Sequence, residues 1–205
     1  MLIDLKLKDF VAEVASSSPA PGGGSVAAMS AAVGAGLISM LANLTRDKKG
    51  YENVHAEMAN LADFCEEKSR EFLAVIDEDT AAFDVYMNAI RLPKDTDEQK
   101  AARSIAIQKA AIGAAEVPLN LARNAFKLIE KAEYAIKNGN KNATSDGCVA
   151  LLMLRAGILG ALYNVRINLS GIRDETYVAQ TTREVDEIER QANELEKRIL
   201  SAVVL

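Results

Sequence analysis

One aspartate lies in an apolar helical stripe, where a carboxylate can take part in proton transfer. On a helical wheel of about 100° per residue, Asp79 falls within about 40° of Phe72 and Phe83. Burial there would raise its pKa, which suits a group that accepts and donates protons near neutral pH. A structural hydrogen bond or an ion pair would explain the same position. The adjacent Asp77 and Glu78 face elsewhere on the wheel and are expected to be solvated.

A glycine-rich loop leads into the second predicted helix. Pro21 is followed by Gly22, Gly23 and Gly24, and Ser25 is predicted to be the N-cap. Such a loop can bring backbone close to a ligand and point helix N–H groups at negative charge. It is neither a Walker A motif nor a dinucleotide fingerprint, because no Gly-Lys-Ser/Thr follows and no strand precedes it. A tight turn against a crowded helix is the alternative interpretation.

Two groups of polar residues border the fifth predicted helix. Asn164 and Asn168 are four residues apart, so both amides share one helix face and could read the edge of a heterocycle. An interhelical amide contact is the simpler explanation. Asn142, Ser145 and Asp146 cluster at the helix start, where capping accounts for at least one of them.

A short basic turn offers cations for an acidic ligand. Arg46, Lys48 and Lys49 suit a carboxylate-bearing molecule, although such a run is also typical of a solvated turn. The single histidine, His55, has no cysteine or histidine at ligand spacing and is interpreted as a surface or packing residue.

Six segments have the apolar periodicity and end signals of helices, and these must position the polar side chains. Pro118 is expected to kink the fourth segment, and Gly139 is expected to end it. The pattern predicts one all-α domain over residues 1–205, an antiparallel multi-helix bundle of five or six helices. The predicted helices are Leu7–Ala15, Ser25–Thr45, Glu52–Arg91, Glu98–Lys137, Ser145–Leu169 and Asp174–Ala202.

The second predicted helix is apolar on every side. No charged residue occurs between Glu13 and Arg46, which is long enough to raise the question of a membrane span. Small residues dominate it, and Ser30, Ser39 and Asn43 interrupt it. We therefore expect the central helix of a bundle, or the seam of a dimer, and no membrane.

Composition narrows the function classes. Twenty-four basic and 29 acidic residues give a net charge of −5, which disfavours a nucleic-acid partner. Cys65 and Cys148 are too few for a disulfide scaffold or a cysteine zinc site. Charged residues interleave the first ten positions, so we expect no signal peptide and a cytoplasmic location. Acid–base chemistry therefore falls mainly to carboxylates, lysines, tyrosines or the substrate.

Six motifs spread over nearly the whole chain are together distinctive, although each is weak alone. They are Pro19–Ser25, Asp77–Asp79 with Phe83, Arg91–Lys94, Val117–Leu119, Gly139–Asn140 with Asn142 and Ser145–Asp146, and Tyr163–Val165 with Ile167–Leu169. In this order and spacing they resemble the formimidoyltetrahydrofolate cyclodeaminase and methenyltetrahydrofolate cyclohydrolase family. Arg166 stands where that family is expected to have an apolar residue.

The resemblance implies a helical domain that forms a homodimer or a higher homo-oligomer and binds a tetrahydrofolate derivative at or near the dimer interface. Its catalytic aspartate corresponds to Asp79, and neither a metal nor a redox cofactor is implied. Candidate substrate-binding residues are Gly22, Gly23, Gly24, Ser25, Asn142, Asp146, Asn164 and Asn168, with Lys48 and Lys49 for the glutamate tail.

Two alternatives stay open at this point. Cyclisation with release of ammonia and hydrolysis of the methenyl ring are not distinguished by the sequence. A non-catalytic helical dimerisation module, with Asp79 as a buried structural group, is the competing function class.

Overall fold

The computed structural model describes residues 1–204, and within them six α-helices and three short 3-10 helices form with no strand. The prediction of an all-α fold is confirmed. The 3-10 helices are Leu2–Asp4, Glu52–Val54 and Lys141–Ala143. The α-helices are α1 (Leu7–Val14), α2 (Gly23–Asn43), α3 (His55–Ile90), α4 (Asp97–Asn138), α5 (Thr144–Leu169) and α6 (Glu175–Ser201).

Helices α2 to α5 form an antiparallel four-helix core, and α6 packs along α4 and α5. Hydrogen bonds fix the register of α2 against α3. Near the start of α2, the Ser25 hydroxyl donates to the Ile76 carbonyl, and near its end Ser39 donates to the Ala62 carbonyl. The two helices therefore run in opposite directions.

Small residues let α2 and α5 approach closely. A β-carbon added at Gly157 would lie 2.9 Å from the Ala27 carbonyl oxygen and the Ala31 nitrogen. One added at Gly34 would lie 2.9 Å from a Leu154 side-chain carbon. Backbone therefore packs against backbone here, which explains why alanine and glycine dominate both helices.

Both of these helices are long and apolar enough to cross a membrane by length and composition alone. In α2, 61% of the apolar window is buried inside the protein, and for residues 141–169 the share is 44%. One side of each helix thus belongs to the core. Their outer sides carry exposed apolar residues and are called the α2–α5 face: Val33, Met40 and Leu44 on α2, with Val149, Leu152, Tyr163 and Ile167 on α5.

Two predicted helix caps are wrong. Helix α2 begins at Gly23 after Gly22, so Ser25 lies inside its first turn, and α5 begins at Thr144, so Ser145 is not its cap. Asp174, where the sixth helix was predicted to begin, is the N-cap of α6 and accepts from the Tyr177 N–H.

Helices α3 and α4 are 36 and 42 residues long and extend well past the start of α2. Helix α4 continues through Pro118, and Gly139 is its C-cap. At its start, Thr96 and Gln99 form a reciprocal capping box. The site described next lies where the α3–α4 hairpin emerges beyond α2.

The N-terminal segment is attached to α3 through a residue that was expected to be solvated. The Leu2 N–H donates to Asp77 Oδ1 over 2.7 Å, and Asp77 Oδ2 is buried without a partner in the described structure. The sequence prediction for Asp77 is therefore wrong, because it did not foresee chain 75 residues away covering that face. Glu78 is exposed, as predicted.

Candidate active site

A pocket of about 180 Å³ opens where α2 begins. Its walls come from the loop before α2, from the first turn of α2 and from α3, α4 and α5. Six of the predicted site residues line it, although they are up to 146 positions apart in the chain: Gly22, Gly23, Gly24, Asp79, Asn164 and Asn168. The remaining lining residues are Pro19, Ala20, Thr80, Phe83, Tyr86 and Ala114.

Asp79 points from α3 at the first turn of α2. The Ser25 hydroxyl shares its one hydrogen between the Ile76 carbonyl oxygen, 3.2 Å away, and Asp79 Oδ2, 3.1 Å away, and the Ser25 backbone N–H also donates to this carboxylate. Burial raises the pKa of Asp79, and the two hydrogen bonds from Ser25 oppose that rise only in part. The result is a partly buried carboxyl group with a raised pKa, facing a pocket.

The same carboxylate supplies the hydrogen-bond acceptor that the N-cap residue of α2 lacks. Gly22, at the N-cap position of α2, has no side chain to accept from the first N–H groups of the helix. Asp79 supplies that acceptor from α3. Its structural role and a role in proton transfer are therefore compatible, since a carboxylate has two oxygens and about four acceptor sites.

Gly24 makes this approach possible. A β-carbon at position 24 would overlap the Asp79 carboxylate, lying 2.6 Å from its Cγ. At Gly23 a β-carbon would lie 3.3 Å from the Asn164 side-chain nitrogen. The glycines thus allow two polar side chains to come against the start of α2, which is a more specific reason than loop flexibility.

The two asparagines are oriented by hydrogen bonds to backbone. Asn164 Nδ2 donates to the Gly160 carbonyl within α5, and Asn168 Nδ2 donates to the Ala114 carbonyl of α4, each over 2.8 Å. The contact from Asn168 to α4 is the interhelical amide contact considered above. Both side chains nevertheless line the pocket, so a structural role is compatible with ligand contact.

Aromatic residues beside the aspartate were not among the predicted site residues. Phe83 and Tyr86 lie on the same helical stripe as Asp79 and contribute the aromatic part of the pocket wall. The signal was present in the sequence, because both fall within about 60° of Asp79 on the wheel. Thr80 and Ala114 gave no comparable signal.

The other predicted binding residues lie at the opposite end of the protomer. Lys48 and Lys49 follow the end of α2, about 30 Å along the helix from Gly23 at 1.5 Å per residue. Lys48 Nζ donates to Asn140 Oδ1 over 3.0 Å and ties the loop after α2 to the loop after α4.

Asn142 and Asp146 lie at that same end. Asp146 is in the first turn of α5, 18 residues before Asn164, which corresponds to about 27 Å along the helix. These predicted residues therefore do not reach the Asp79 pocket of their own protomer.

Two further residues have structural explanations. His55 Nε2 lies 3.0 Å from the Lys48 carbonyl oxygen, in agreement with a packing role. Arg166 forms ion pairs with Asp186 and Glu189 of α6, which explains a charge at this position of α5. Among the described residues, no group of three or more His, Cys, Asp and Glu side chains could hold a metal ion.

Comparison with known proteins connects this arrangement to folate enzymes. The family model described as formiminotransferase-cyclodeaminase matches residues 6–187. The chain is 40% identical over 197 residues to a methenyltetrahydrofolate cyclohydrolase from Methylorubrum extorquens, covering 96% of this chain and 95% of that protein.

A longer relative and a solved structure agree with this match. The chain is 37% identical to a formimidoyltransferase-cyclodeaminase of Sus scrofa, covering 93% of this chain and 35% of that longer protein. A crystal structure of a formiminotetrahydrofolate cyclodeaminase from Thermotoga maritima superposes with a TM-score of 0.86 at 33% identity, covering 97% of this chain and 96% of that one.

Proposed function

The chain belongs to the formiminotransferase-cyclodeaminase family, and from that premise we propose that it acts at the 5,10-methenyltetrahydrofolate ring with Asp79 as general acid and base. Family membership makes it a folate one-carbon enzyme. The observation that carries the finer proposal is the position of Asp79. Among the described residues that line the pocket, it is the one carboxylate, and burial raises its pKa.

In the deaminase direction, the reaction closes a five-membered ring. The folate aniline nitrogen attacks the carbon of the protonated (amidinium) formimino group of 5-formiminotetrahydrofolate, and the bond from that carbon to the departing nitrogen then breaks, which gives ammonia and the 5,10-methenyltetrahydrofolate cation. The Asp79 carboxylate accepts the proton that the attacking nitrogen loses. The resulting carboxylic acid then donates a proton to the leaving amine, which returns Asp79 to its starting state.

In the hydrolase direction, the nucleophile is water. The carboxylate accepts a proton from the water that attacks the methenyl carbon, and the resulting carboxylic acid donates it to N5 as the bond from that carbon to N5 breaks. The hydroxyl proton of the intermediate passes to solvent as the carbonyl forms, which gives 10-formyltetrahydrofolate. One group with a raised pKa serves both reactions, because each requires a base first and an acid later. The full-length relative from Methylorubrum extorquens and the Thermotoga maritima structure carry the names of the two reactions, so the proposal includes both.

The pocket wall suits a flat, polar heterocycle. Phe83 and Tyr86 offer aromatic surface, while Asn164 and Asn168 offer amide groups already oriented by backbone contacts. We assign the pterin ring to this pocket. The substrate is therefore a tetrahydrofolate derivative, and the proposal requires no metal or redox cofactor.

We also infer that the enzyme works as a homodimer through the α2–α5 face. Exposed apolar side chains follow α5 along its length and α2 along its second half, including Val33, which is 44% exposed, and Ile167, which is 68% exposed. Contiguous apolar surface of this kind is typical of an interaction site. A non-catalytic dimerisation module would also use this face, but it gives no reason for the pocket around Asp79.

The test replaces Asp79 by asparagine and leaves its shape nearly unchanged. With 5-formiminotetrahydrofolate we follow the methenyl chromophore and ammonia together, and with 5,10-methenyltetrahydrofolate we follow the decay of that chromophore. We expect Asp79→Asn to lower kcat by roughly 100- to 10,000-fold, the usual contribution of a general acid–base group. Circular dichroism and the melting temperature report folding.

Glu78→Gln provides the matched control, because Glu78 is the preceding residue of α3 and is exposed. We expect wild-type turnover from it. Wild-type turnover in Asp79→Asn as well would refute the assignment of the aspartate. If wild-type protein changes neither substrate faster than the enzyme-free control, the proposed reactions themselves are wrong.

A further inference from the structure

A second pocket, called here the α4–α6 pocket, lies at the far end of the bundle from Asp79. Its walls come from the end of α4, the start of α5 and the end of α6 with the residues just after it. Its volume is about 540 Å³, within the roughly 300–1,000 Å³ typical of small-molecule sites. Ala114 of α4 lines the Asp79 pocket and Ile136 lines this one, about 33 Å further along the helix. The two pockets are therefore separate sites.

The apolar part of the α4–α6 pocket is aliphatic. None of the described residues that line it is aromatic, in contrast to the Asp79 pocket with Phe83 and Tyr86. A flat heterocycle gains from stacking on aromatic rings, whereas a flexible aliphatic chain needs only apolar surface. This pocket therefore suits an aliphatic chain better than a pterin. Its apolar lining residues are Ile136, Ile199, Ala202, Val203 and Val204.

The charged residues of the same pocket are mostly cationic. Lys137, Lys141 and Arg198 line it, and among residues 1–204 a single carboxylate, that of Glu133, lines it as well. This excess of positive charge contrasts with the net charge of −5 of the whole chain. Positive charge beside an apolar wall favours a ligand that carries an anionic group on an apolar body.

Two of the three cations have donors to offer to such a ligand. Arg198 Nη2 donates to Glu133 Oε2 over 2.6 Å, which uses one of the five N–H groups of the guanidinium. The Lys137 ammonium is exposed, and no carboxylate within residues 1–204 pairs with it. Lys141 Nζ instead donates over 3.0 Å to the Lys137 carbonyl at the end of α4. Lys137 and Arg198 are thus the candidate anion-binding groups, and Glu133 competes for Arg198.

We propose that the α4–α6 pocket binds an aliphatic molecule with an anionic head group, a carboxylate or a phosphate. The chain lies against Ile136 and Ile199, and the head group binds Lys137 and Arg198. A guanidinium and an ammonium bind either of these anions through charge-assisted hydrogen bonds. The pocket shares no lining residue with the Asp79 pocket or with the α2–α5 face, so this binding does not rest on the proposed folate function.

Probes with the same ten-carbon chain separate the effect of the head group from that of the chain. We titrate the full chain with decanoate, decyl phosphate, decanol and decylamine by isothermal titration calorimetry. At least one of the two anions should bind once per protomer, at least tenfold more tightly than decanol or decylamine, and the tighter anion identifies the head group. Octanoate should bind roughly tenfold more weakly than decanoate, because each buried methylene contributes about fourfold in affinity.

Substitutions in the pocket should change the affinity for the tighter anion in opposite directions. Glu133→Gln should tighten binding about threefold or more, because it removes a carboxylate and releases Arg198, and a folding defect would not tighten binding. Lys137→Gln combined with Arg198→Gln should weaken binding about tenfold or more. Lys127→Gln is the matched control, because Lys127 is an exposed lysine of α4 that does not line the pocket. Circular dichroism reports the folding of each variant.

Four results would overturn this site. Absence of binding by both decanoate and decyl phosphate would exclude the proposed ligand class. Decanol binding as tightly as the anions would indicate contact with apolar surface alone, such as the α2–α5 face. Unchanged affinity in the variant that lacks Lys137 and Arg198 would place the anion elsewhere, and lost binding in Asp79→Asn would place it in the Asp79 pocket. Only binding is measured, so these results are independent of the folate reactions.

Discussion

Gly24 and Asp79 pack so tightly that one methyl group added at position 24 should push the Asp79 side chain away. In Gly24→Ala, the new β-carbon would overlap the Asp79 carboxylate and displace it. We expect a loss of about 1–3 kcal/mol in the free energy of unfolding from overpacking. Turnover should fall about 100-fold, because small shifts of a catalytic group have large effects. Denaturant titration and steady-state kinetics measure the two effects.

Gly36→Ala is the control for that substitution, since Gly36 lies in the same helix. The nearest atom to a β-carbon there is Ser69 Oγ at 3.8 Å, an ordinary contact distance. Alanine in a helix interior should therefore stabilise by about 0.5–1 kcal/mol and leave turnover unchanged. Equal kinetic effects in both variants would show that the contact between Gly24 and Asp79 is not the cause.

Ser25 should set the pH at which Asp79 works. Its hydroxyl bonds the charged form of the carboxyl and lowers the pKa, against the larger effect of burial. In Ser25→Ala the pKa of Asp79 should rise further, so the acidic limb of the profile of kcat/KM against pH should move to higher pH. Ser30→Ala removes a hydroxyl that bonds only the Val26 carbonyl within α2, and its profile should not move.

The raised pKa of Asp79 also determines the direction in which the free energy of unfolding changes with pH. A carboxyl whose pKa is higher in the folded state binds protons more tightly there than in the unfolded chain. The free energy of unfolding should therefore fall as the pH rises from the pKa of the unfolded chain through that of folded Asp79. In Ser25→Ala this fall should extend to higher pH. If the acidic limb of the kcat/KM profile did not move in Ser25→Ala, the role given to Ser25 would be contradicted.

At this scale the sequence identified the catalytic candidate but not its partner. The wheel singled out Asp79 because polarity within an apolar stripe is a local property. Ser25 was predicted to cap its own helix, whereas its hydroxyl bonds a residue 54 positions away. Only the packing of α2 against α3 decides which acceptor is nearer.

At the scale of helices, the sequence predicted the existence of all six and most of their ends. Apolar periodicity and strong end signals such as Gly139 and Asp174 depend on residues that are close in the sequence, so they can be recognised without the structure. The starts of α2 and α5 were missed, because neither has a side-chain cap. For α2, the acceptor for the first N–H groups is Asp79 of α3, and no local sequence pattern indicates this contact.

The close contact of α2 with α5 explains a feature that composition left ambiguous. A helix rich in alanine and glycine and free of charge could be a membrane span, a bundle core or a dimer seam. In this fold α2 meets α5 through backbone-level contacts and α3 through side-chain contacts, while its outer side forms part of the α2–α5 face. The buried core surface and the exposed apolar surface are thus two sides of one helix.

Across the whole molecule, the predicted site residues divide between two ends of the bundle. The antiparallel path returns α5 to the start of α2, which brings Asn164 beside Gly23. The same path places Asp146 and the basic turn at the far end. Spacing in the sequence cannot predict this division of the site residues. The division depends on the direction of each helix and on what covers the α2–α5 face.

Disrupting that face should therefore reduce activity without touching either group of site residues. Val33→Asp places a charge at the centre of the proposed interface, where an unpaired buried charge is costly. We expect sedimentation velocity to show monomers and kcat/KM for a triglutamyl substrate to fall at least tenfold. The control Ile105→Asp changes a residue that is 71% exposed on α4, away from the face, and should remain dimeric and active. A monomeric Val33→Asp protein with wild-type kcat/KM would contradict the inference that the enzyme works as a homodimer through this face.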